Sequence, residues 1–267
     1  MAAEQVFPCC LTIAGSDSGG NAGVQADLRA FHSYGVHGCT VFAALTAQNP
    51  FGVAAIHQVP VDFIASQLDA VLGIYNIAAL KTGMLADTAI IECVGEKLSK
   101  HPGIAKVIDP VMVATSGAKL ISDSAVSALK SELFPLATVI TPNLPEAEVL
   151  AGSPIANRED AREAAKRIFG EYGCSVLVKG GHALDESTAV DTLYDGENFH
   201  DFELLKLDNP VSTHGTGCSL AAALAAELAL GRDLKNAVEG AKLYVYNAIR
   251  NSYLVGKNCG VLGWVKQ

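Results

Sequence analysis

The stretch THGTGCSLAAALAAELALG, residues 213–231, sets two glycines and one cysteine directly ahead of a run of small and large apolar residues. Gly215 and Gly217 remove side chains where a backbone can approach a ligand closely. The first N–H groups of the helix that follows would point outward with the positive end of its dipole, which makes a place to hold an anion beside Cys218. Read alone, the plainer interpretation is a glycine turn before a core helix with a buried, inert thiol. Other polar groups suited to phosphate chemistry follow apolar runs along the chain: Gly15 and the loop to Asp27; Thr46, Gln48 and Asn49; Lys81, Thr82, Gly83 and Met84. Asp109 follows the next run, then Thr141, Asn143 and Glu146, and finally Lys179, Gly180, Gly181 and His182. Asp109 and Glu146 are oxygen ligands of the kind Mg2+ takes, directly or through water, and Lys179 would add positive charge. Each has a plainer alternative too: Asp109 as a carboxylate tying the turn before Pro110, Glu146 as a first-turn acid favoured by the helix dipole.

Familiar nucleotide and hydrolase signatures fail when checked. There is no G-x-x-x-x-G-K-[ST] and no G-x-G-x-x-G; GSDSG has Asp17 where a nucleophile elbow needs serine; neither H-E-x-x-H nor a deaminase cysteine pair occurs. Phosphate would therefore have to be held at the turn 215–218.

The elements that must position these groups read as alternating strands and helices. Apolar runs predict strands at 9–14, 38–49, 77–84, 105–112, 138–143 and 174–182, with a short extended piece near 53–59. Helices are predicted over 24–35, 61–72, 87–100, 123–133, 144–151, 157–172, 216–230 and 233 to about 254. A hairpin around Asp195-Gly196 would add a small antiparallel edge. This order implies one α/β domain over residues 1–267, with a central, mostly parallel sheet flanked by helices on both faces. Ligands of such sheets bind beyond the carboxyl ends of the strands, where the polar groups above collect.

Composition narrows the functional classes. With 50% hydrophobic and 18% charged residues, the chain can bury a large core, yet no window approaches a membrane span. The N-terminal segment lacks a basic stretch before its apolar run and reads as a first strand, which makes the cytoplasm the expected location. Seven scattered cysteines without metal spacing fit reduced thiols. A net charge of −9 without a basic patch argues against a nucleic-acid surface and for a small-molecule ligand.

In order, the segments AGSDSGGNAGVQADL, ALTAQN, KTGML, DPVMVATSG, TPNLPEAE, VLVKGGH and THGTGCSLAAALA closely resemble the hydroxymethylpyrimidine and hydroxymethylpyrimidine-phosphate kinases of thiamin biosynthesis, in the ribokinase-like superfamily. The likeness runs from about Leu11 to about Ile249; Asn21 and Ser219 depart mildly from the family pattern. It implies a ribokinase-like fold and a kinase that uses ATP and Mg2+ to phosphorylate 4-amino-5-hydroxymethyl-2-methylpyrimidine and then its monophosphate. By that resemblance Gly15, Asp27, Gln48, Met84 and Val111 surround the pyrimidine, with the Gln48 amide facing the ring edge; a turn glutamine in solvent is the plainer alternative. The nucleotide falls to Asn143, Lys179, Thr216 and Lys242, the metal to Asp109 and Glu146, and catalysis to Cys218 with Gly215, Thr216 and Gly217. A homodimer is expected, and neither a nucleic acid nor a membrane is an expected partner.

Cys218 then stands where most sugar kinases of the superfamily use an aspartate base. The first transfer goes to an alcohol, whose proton a base can accept; the second goes to a phosphate oxygen, already an anion, which a fixed carboxylate would repel. A thiol can be neutral, and at a helix N-terminus its pKa is expected to fall below about 8.5, so that it also serves as thiolate base. The rival readings are a pyridoxal or pyridoxine kinase and a non-catalytic ligand sensor on the same fold.

Overall fold

The computed structural model describes residues 7–112, 121–181 and 187–263. The first strand, β1 (Cys9–Asp17), is buried over nearly all its length, as the unbroken run CCLTIAG requires of a parallel strand covered on both faces. It enters the glycine-rich loop and then α1 (Gly23–Ser33). β2 (His37–Asn49) returns parallel to β1, and β3 (Gly52–Gln58) folds back antiparallel to β2 as a fully exposed edge strand. α2 (Val61–Leu72), β4 (Ile77–Thr82), α3 (Thr88–Ser99) and β5 (Ala105–Ile108) follow. α4 (Asp123–Ala128) continues through a wider π turn over Leu129–Leu133 to β6 (Val139–Ile140), then α5 (Leu144–Ala151), α6 (Arg158–Tyr172) and β7 (Ser175–Lys179). The expected hairpin is β8 (Thr188–Tyr194) and β9 (Phe199–Leu205), and α7 (Thr216–Ala229) and α8 (Leu234–Arg250) follow it.

The main sheet runs β3-β2-β1-β4-β5-β6-β7-β8-β9, parallel from β2 to β7 and antiparallel at both margins. The antiparallel edge expected on one side thus occurs on both. α1, α7 and α8 pack one face, through residues such as Phe31, Leu224 and Val238; α2 to α6 cover the other, through Ile64, Ile91, Leu150 and Ile168. α7 is apolar nearly all round and buried from Ser219 to Glu227, because its alanines let β4, β5, α1 and α8 approach closely. The chain leaves β1 outward to β2 and β3, then returns to β4 on β1's other side. This reversal opens a crevice at the carboxyl ends of β1 and β4.

The last helix is shorter than the sequence reading gave. α8 stops at Arg250, and β10 (Tyr253–Gly256) pairs antiparallel with β11 (Cys259–Val261) in a separate small sheet. Asn258, at φ 57°, supplies the left-handed turn residue between them, and Gly263 packs its backbone against the Asn251 carbonyl. Among the described residues no helix is long and apolar enough to cross a membrane, and all seven cysteines are free thiols.

Candidate active site

Two loops from opposite ends of the chain build the floor of the crevice. The Asp17 carboxylate accepts hydrogen bonds from the backbone N–H groups of Gly19, Asn21 and Ala22, at 2.8, 2.9 and 2.8 Å, and so winds the glycine loop around itself. A register shift between β1 and β2 falls at Ala14/Gly15, bending the strand as it enters this loop. Gly215, at φ 90°, abuts the loop: a Cβ there would collide with the Asn21 carbonyl oxygen. α7 starts at that contact with no side-chain cap. The Ser219 N–H is the first to bond back, to the Gly215 carbonyl at 3.0 Å. That leaves the N–H groups of Thr216, Gly217 and Cys218 as orphan donors among the described residues, at the positive end of a 14-residue helix.

Beneath this turn lies a sealed charge cluster. Lys81 on β4 donates to both carboxylate oxygens of Asp27 on α1, at 3.0 and 2.9 Å, and Thr12 on β1 donates to Asp27 Oδ2 at 2.6 Å. Both charged side chains have 0% exposure. Burial works to lower the Lys81 pKa, but Asp27, Cys218 and Asp109 together outweigh it and hold the amine cationic. Cys218 lies within reach of these charges and of the Gly23 backbone N–H. The lowered thiol pKa expected at a helix start is reversed here. Burial raises it, Asp27 and Asp109 add to the rise, and Lys81 and the Gly23 N–H only partly oppose them.

A second cluster sits at the rim. Lys179, at the end of β7, donates to Asp109 Oδ1 at 2.8 Å, and Thr141 donates to the same oxygen at 3.1 Å. Lys179 Nζ lies 3.8 Å from where a Cβ on Gly217 would stand, so the absent side chain keeps the ammonium open to whatever the turn holds. Asn143 and Glu146 form a capping box at the start of α5. The Glu146 carboxylate accepts from the N–H groups of Asn143, at 2.8 Å, and Met112, at 3.1 Å. Burial holds its pKa up at about 7, with Lys179 pulling down and Asp109 pushing up.

The residues expected at the site distribute as follows. Gly215, Thr216, Gly217 and Cys218 form the turn; Asp27 lies under it; Asp109, Asn143, Glu146 and Lys179 form the rim. Gly15 lies against Met84, whose methyl carbon would be 3.1 Å from a Cβ at position 15. Gln48 is pinned through its backbone, which exchanges hydrogen bonds with the Ser18 hydroxyl at 2.8 and 2.9 Å. Its half-buried side-chain amide makes no hydrogen bond among the described residues. Val111 is half-buried, with its N–H bonded to the Asp109 carbonyl at 2.9 Å. His182 and residues 113–117 of DPVMVATSG lie outside the described residues.

Lys242, expected at the nucleotide, is paired with a carboxylate. It projects from α8 to Asp191 on β8 at 2.7 Å, and Asp191 is the register partner of Lys179. Sequence reasoning missed this pair, and also the roles of Thr12, Asp17 and Lys81. The available signal was a lysine inside the apolar run IAALKT and an aspartate on the apolar face of α1, which together require a buried pair.

The arrangement fits phosphoryl chemistry: orphan backbone donors and a lysine for anionic oxygens, and two carboxylates of the hard-oxygen type that Mg2+ takes. A sequence model of the phosphomethylpyrimidine kinase family matches residues 17–263. The chain is 48% identical over 250 residues to the thiamine biosynthesis bifunctional protein ThiED of Geobacter sulfurreducens, covering 94% of this chain but 51% of that protein. It is 45% identical over 254 residues to the hydroxymethylpyrimidine/phosphomethylpyrimidine kinase of Haemophilus influenzae, covering 94% of each. Its structure matches that of an ADP complex of Bacillus subtilis pyridoxal kinase with a TM-score of 0.90, 38% identity and 98% coverage of both chains, which fixes the fold as ribokinase-like. By family model and by sequence, the chain belongs to the phosphomethylpyrimidine kinase family.

Proposed function

We propose that this chain phosphorylates 4-amino-5-hydroxymethyl-2-methylpyrimidine to its monophosphate and then to the diphosphate, with ATP as donor. One observation carries the reading: the uncapped start of α7, with glycines at 215 and 217, opens onto the Lys179 ammonium in a chain of this family. The Thr216, Gly217 and Cys218 N–H groups would bind the oxygens of the phosphoryl group in flight, where such donors stabilise developing charge. Lys179 would exchange its bond to Asp109 for one to the nucleotide's phosphates. Asp109 and Glu146 would hold Mg2+, which neutralises phosphate charge when bound. Asn143 would flank the nucleotide while capping α5, and Lys242 would act at one remove, holding Asp191 and with it β8 beside Lys179.

Gly15, Met84 and Val111 would offer an apolar wall to the pyrimidine above the sealed Asp27, and Gln48 would pair with the ring edge through an amide that has donor and acceptor to give. Cys218, kept neutral by burial, tolerates both an alcohol and a phosphate as nucleophile. Positioning and charge stabilisation then carry most of the rate, and general-base assistance little. Gln48→Ala should weaken pyrimidine binding by about 1–3 kcal/mol and leave ATP binding unchanged in calorimetric titrations of each ligand. Equal losses would make Gln48 structural.

The deciding experiment supplies ATP, Mg2+ and the pyrimidine alcohol and weighs the product. Two added phosphates support the reading; none, with saturating ligands, leaves a ligand sensor. The likeness to a pyridoxal kinase structure favours one alternative, phosphorylation of pyridoxal. An enzyme confined to pyridoxal would leave the pyrimidine monophosphate untouched. Reduced thiols fit a cytoplasmic enzyme. The expected homodimer is supported by β3, an exposed edge presenting Val53 and Ile56 next to Leu45 and Phe51. Ile56→Asp should shift sedimentation toward the monomer.

A further inference from the structure

Cys9, His37 and Cys39 gather at the opposite end of the sheet from the catalytic turn. Cys9 opens β1, its register partner His37 opens β2, and Cys39 lies two residues on, so all three project to one face of neighbouring strands. The two sulfurs are 3.6 Å apart. Their ligating atoms and the nearest imidazole nitrogen all lie within 4.8 Å of one another. Both thiols are buried and the imidazole is exposed, so the cluster has a soft interior and one open side. Tyr75 stacks on His37 with ring centroids 5.8 Å apart and planes 13° from parallel.

We propose that Cys9, Cys39 and His37 form a binding site for one Zn2+ ion, unconnected with the kinase chemistry. The geometry meets what zinc asks of such donors. With Zn–S bonds of about 2.3 Å, a sulfur separation of 3.6 Å corresponds to an S–Zn–S angle of about 103°, close to tetrahedral. A Zn–N bond of about 2.0–2.1 Å then wants the imidazole nitrogen some 3.6 Å from each sulfur, so His37 needs to close by about 1.2 Å at most from the 4.8 Å limit. Its exposure leaves it free to do so. Each thiol gives its proton to solvent as it binds, so two protons leave per ion and the site becomes neutral: two thiolates, one dication and one neutral imidazole. Solvent completes the fourth position on the open side. The turn 215–218 lies beyond the other end of β1, about 25 Å away at the rise of a strand, so the ion would tie the first two strands together without entering the crevice.

The test uses the full chain, reduced and stripped of metal. Co2+ titration should give one equivalent of tetrahedral cobalt with thiolate charge-transfer absorption, displaced by Zn2+. Cys39→Ser should abolish that absorption, while Cys93→Ser, a thiol elsewhere, should keep it. Should Cys39→Ser fail to fold, His37→Ala decides: the exposed substitution should weaken cobalt binding at least ~10-fold. It should also remove the rise in unfolding temperature that Zn2+ gives the unaltered chain. Absence of the charge-transfer band, or its persistence unchanged in His37→Ala, overturns the proposal.

Discussion

Asp27–Lys81 and Asp109–Lys179 are the same acid and the same base, each joining separate elements near one helix start, yet they are built for different work. The first has 0% exposure on both sides and fills its carboxylate with two bonds from lysine and one from Thr12. The second leaves Lys179 15% exposed, shares one Asp109 oxygen between Lys179 and Thr141, and sits beside an acid that titrates near neutrality. A saturated, dry pair can only be kept or broken. A pair at the rim can change partners, and that is what a site needs if it must receive phosphate and give it up.

The largest effect should come from breaking the inner pair. Lys81→Met leaves a buried carboxylate uncompensated and should lose about 3–5 kcal/mol of stability in urea denaturation, with part recovered when Asp27→Asn is added. Lys179→Met should do the reverse: unfolding close to unchanged, and turnover down about 10²–10³-fold, because a group that stabilises transferring charge is gone. Should both variants lose stability alike, the contrast between the pairs fails.

Glu146→Gln sharpens the contrast through pH. The folded chain holds a proton on Glu146 up to a pKa of about 7, whereas the unfolded chain releases it near 4.5. Stability from this group is therefore present at low pH and falls as pH rises from about 4.5 to 7. Glu146→Gln should lack that fall in unfolding temperatures measured at the two ends of the window, and it should raise the Mg2+ needed for turnover. The smallest change is expected from Cys218→Ser, less than about tenfold in either transfer, since a neutral thiol gives way to a neutral hydroxyl. A loss of about 10²-fold or more confined to the alcohol would restore the thiolate base. Cys218→Asp should harm phosphorylation of the monophosphate more than that of the alcohol.

Much of this molecule was legible in its sequence, because parallel strands buried on both faces read as apolar runs and the loops after them read as polar and glycine-rich. α2 begins and ends where its amphipathic pattern does, at Val61 and Leu72. The end of α8 was not legible: YLV prolongs an apolar helical pattern, and what stops the helix is a strand partner at Cys259–Val261. At the site, residue types announced the turn and the rim, but not their partners. That burial would outweigh the helix dipole at Cys218, with the charges of Asp27 and Asp109 adding to the rise, depends on segments distant in sequence. The ion pair that Lys242, expected at the nucleotide, makes with Asp191 was not legible either, because the two residues lie on distant segments of the chain.

The contact between Gly215 and the Asn21 carbonyl also bears on how the molecule assembles. Its partners come from the two ends of the chain, so the crevice closes only when the last helices dock on the first strand. Contacts of such sequence separation form slowly, because a long loop must be ordered before they return any stabilisation. A nascent chain truncated before α7 would carry both charge pairs and no phosphate turn. Competence to bind nucleotide should thus appear abruptly and late in refolding, as a reporter of completion.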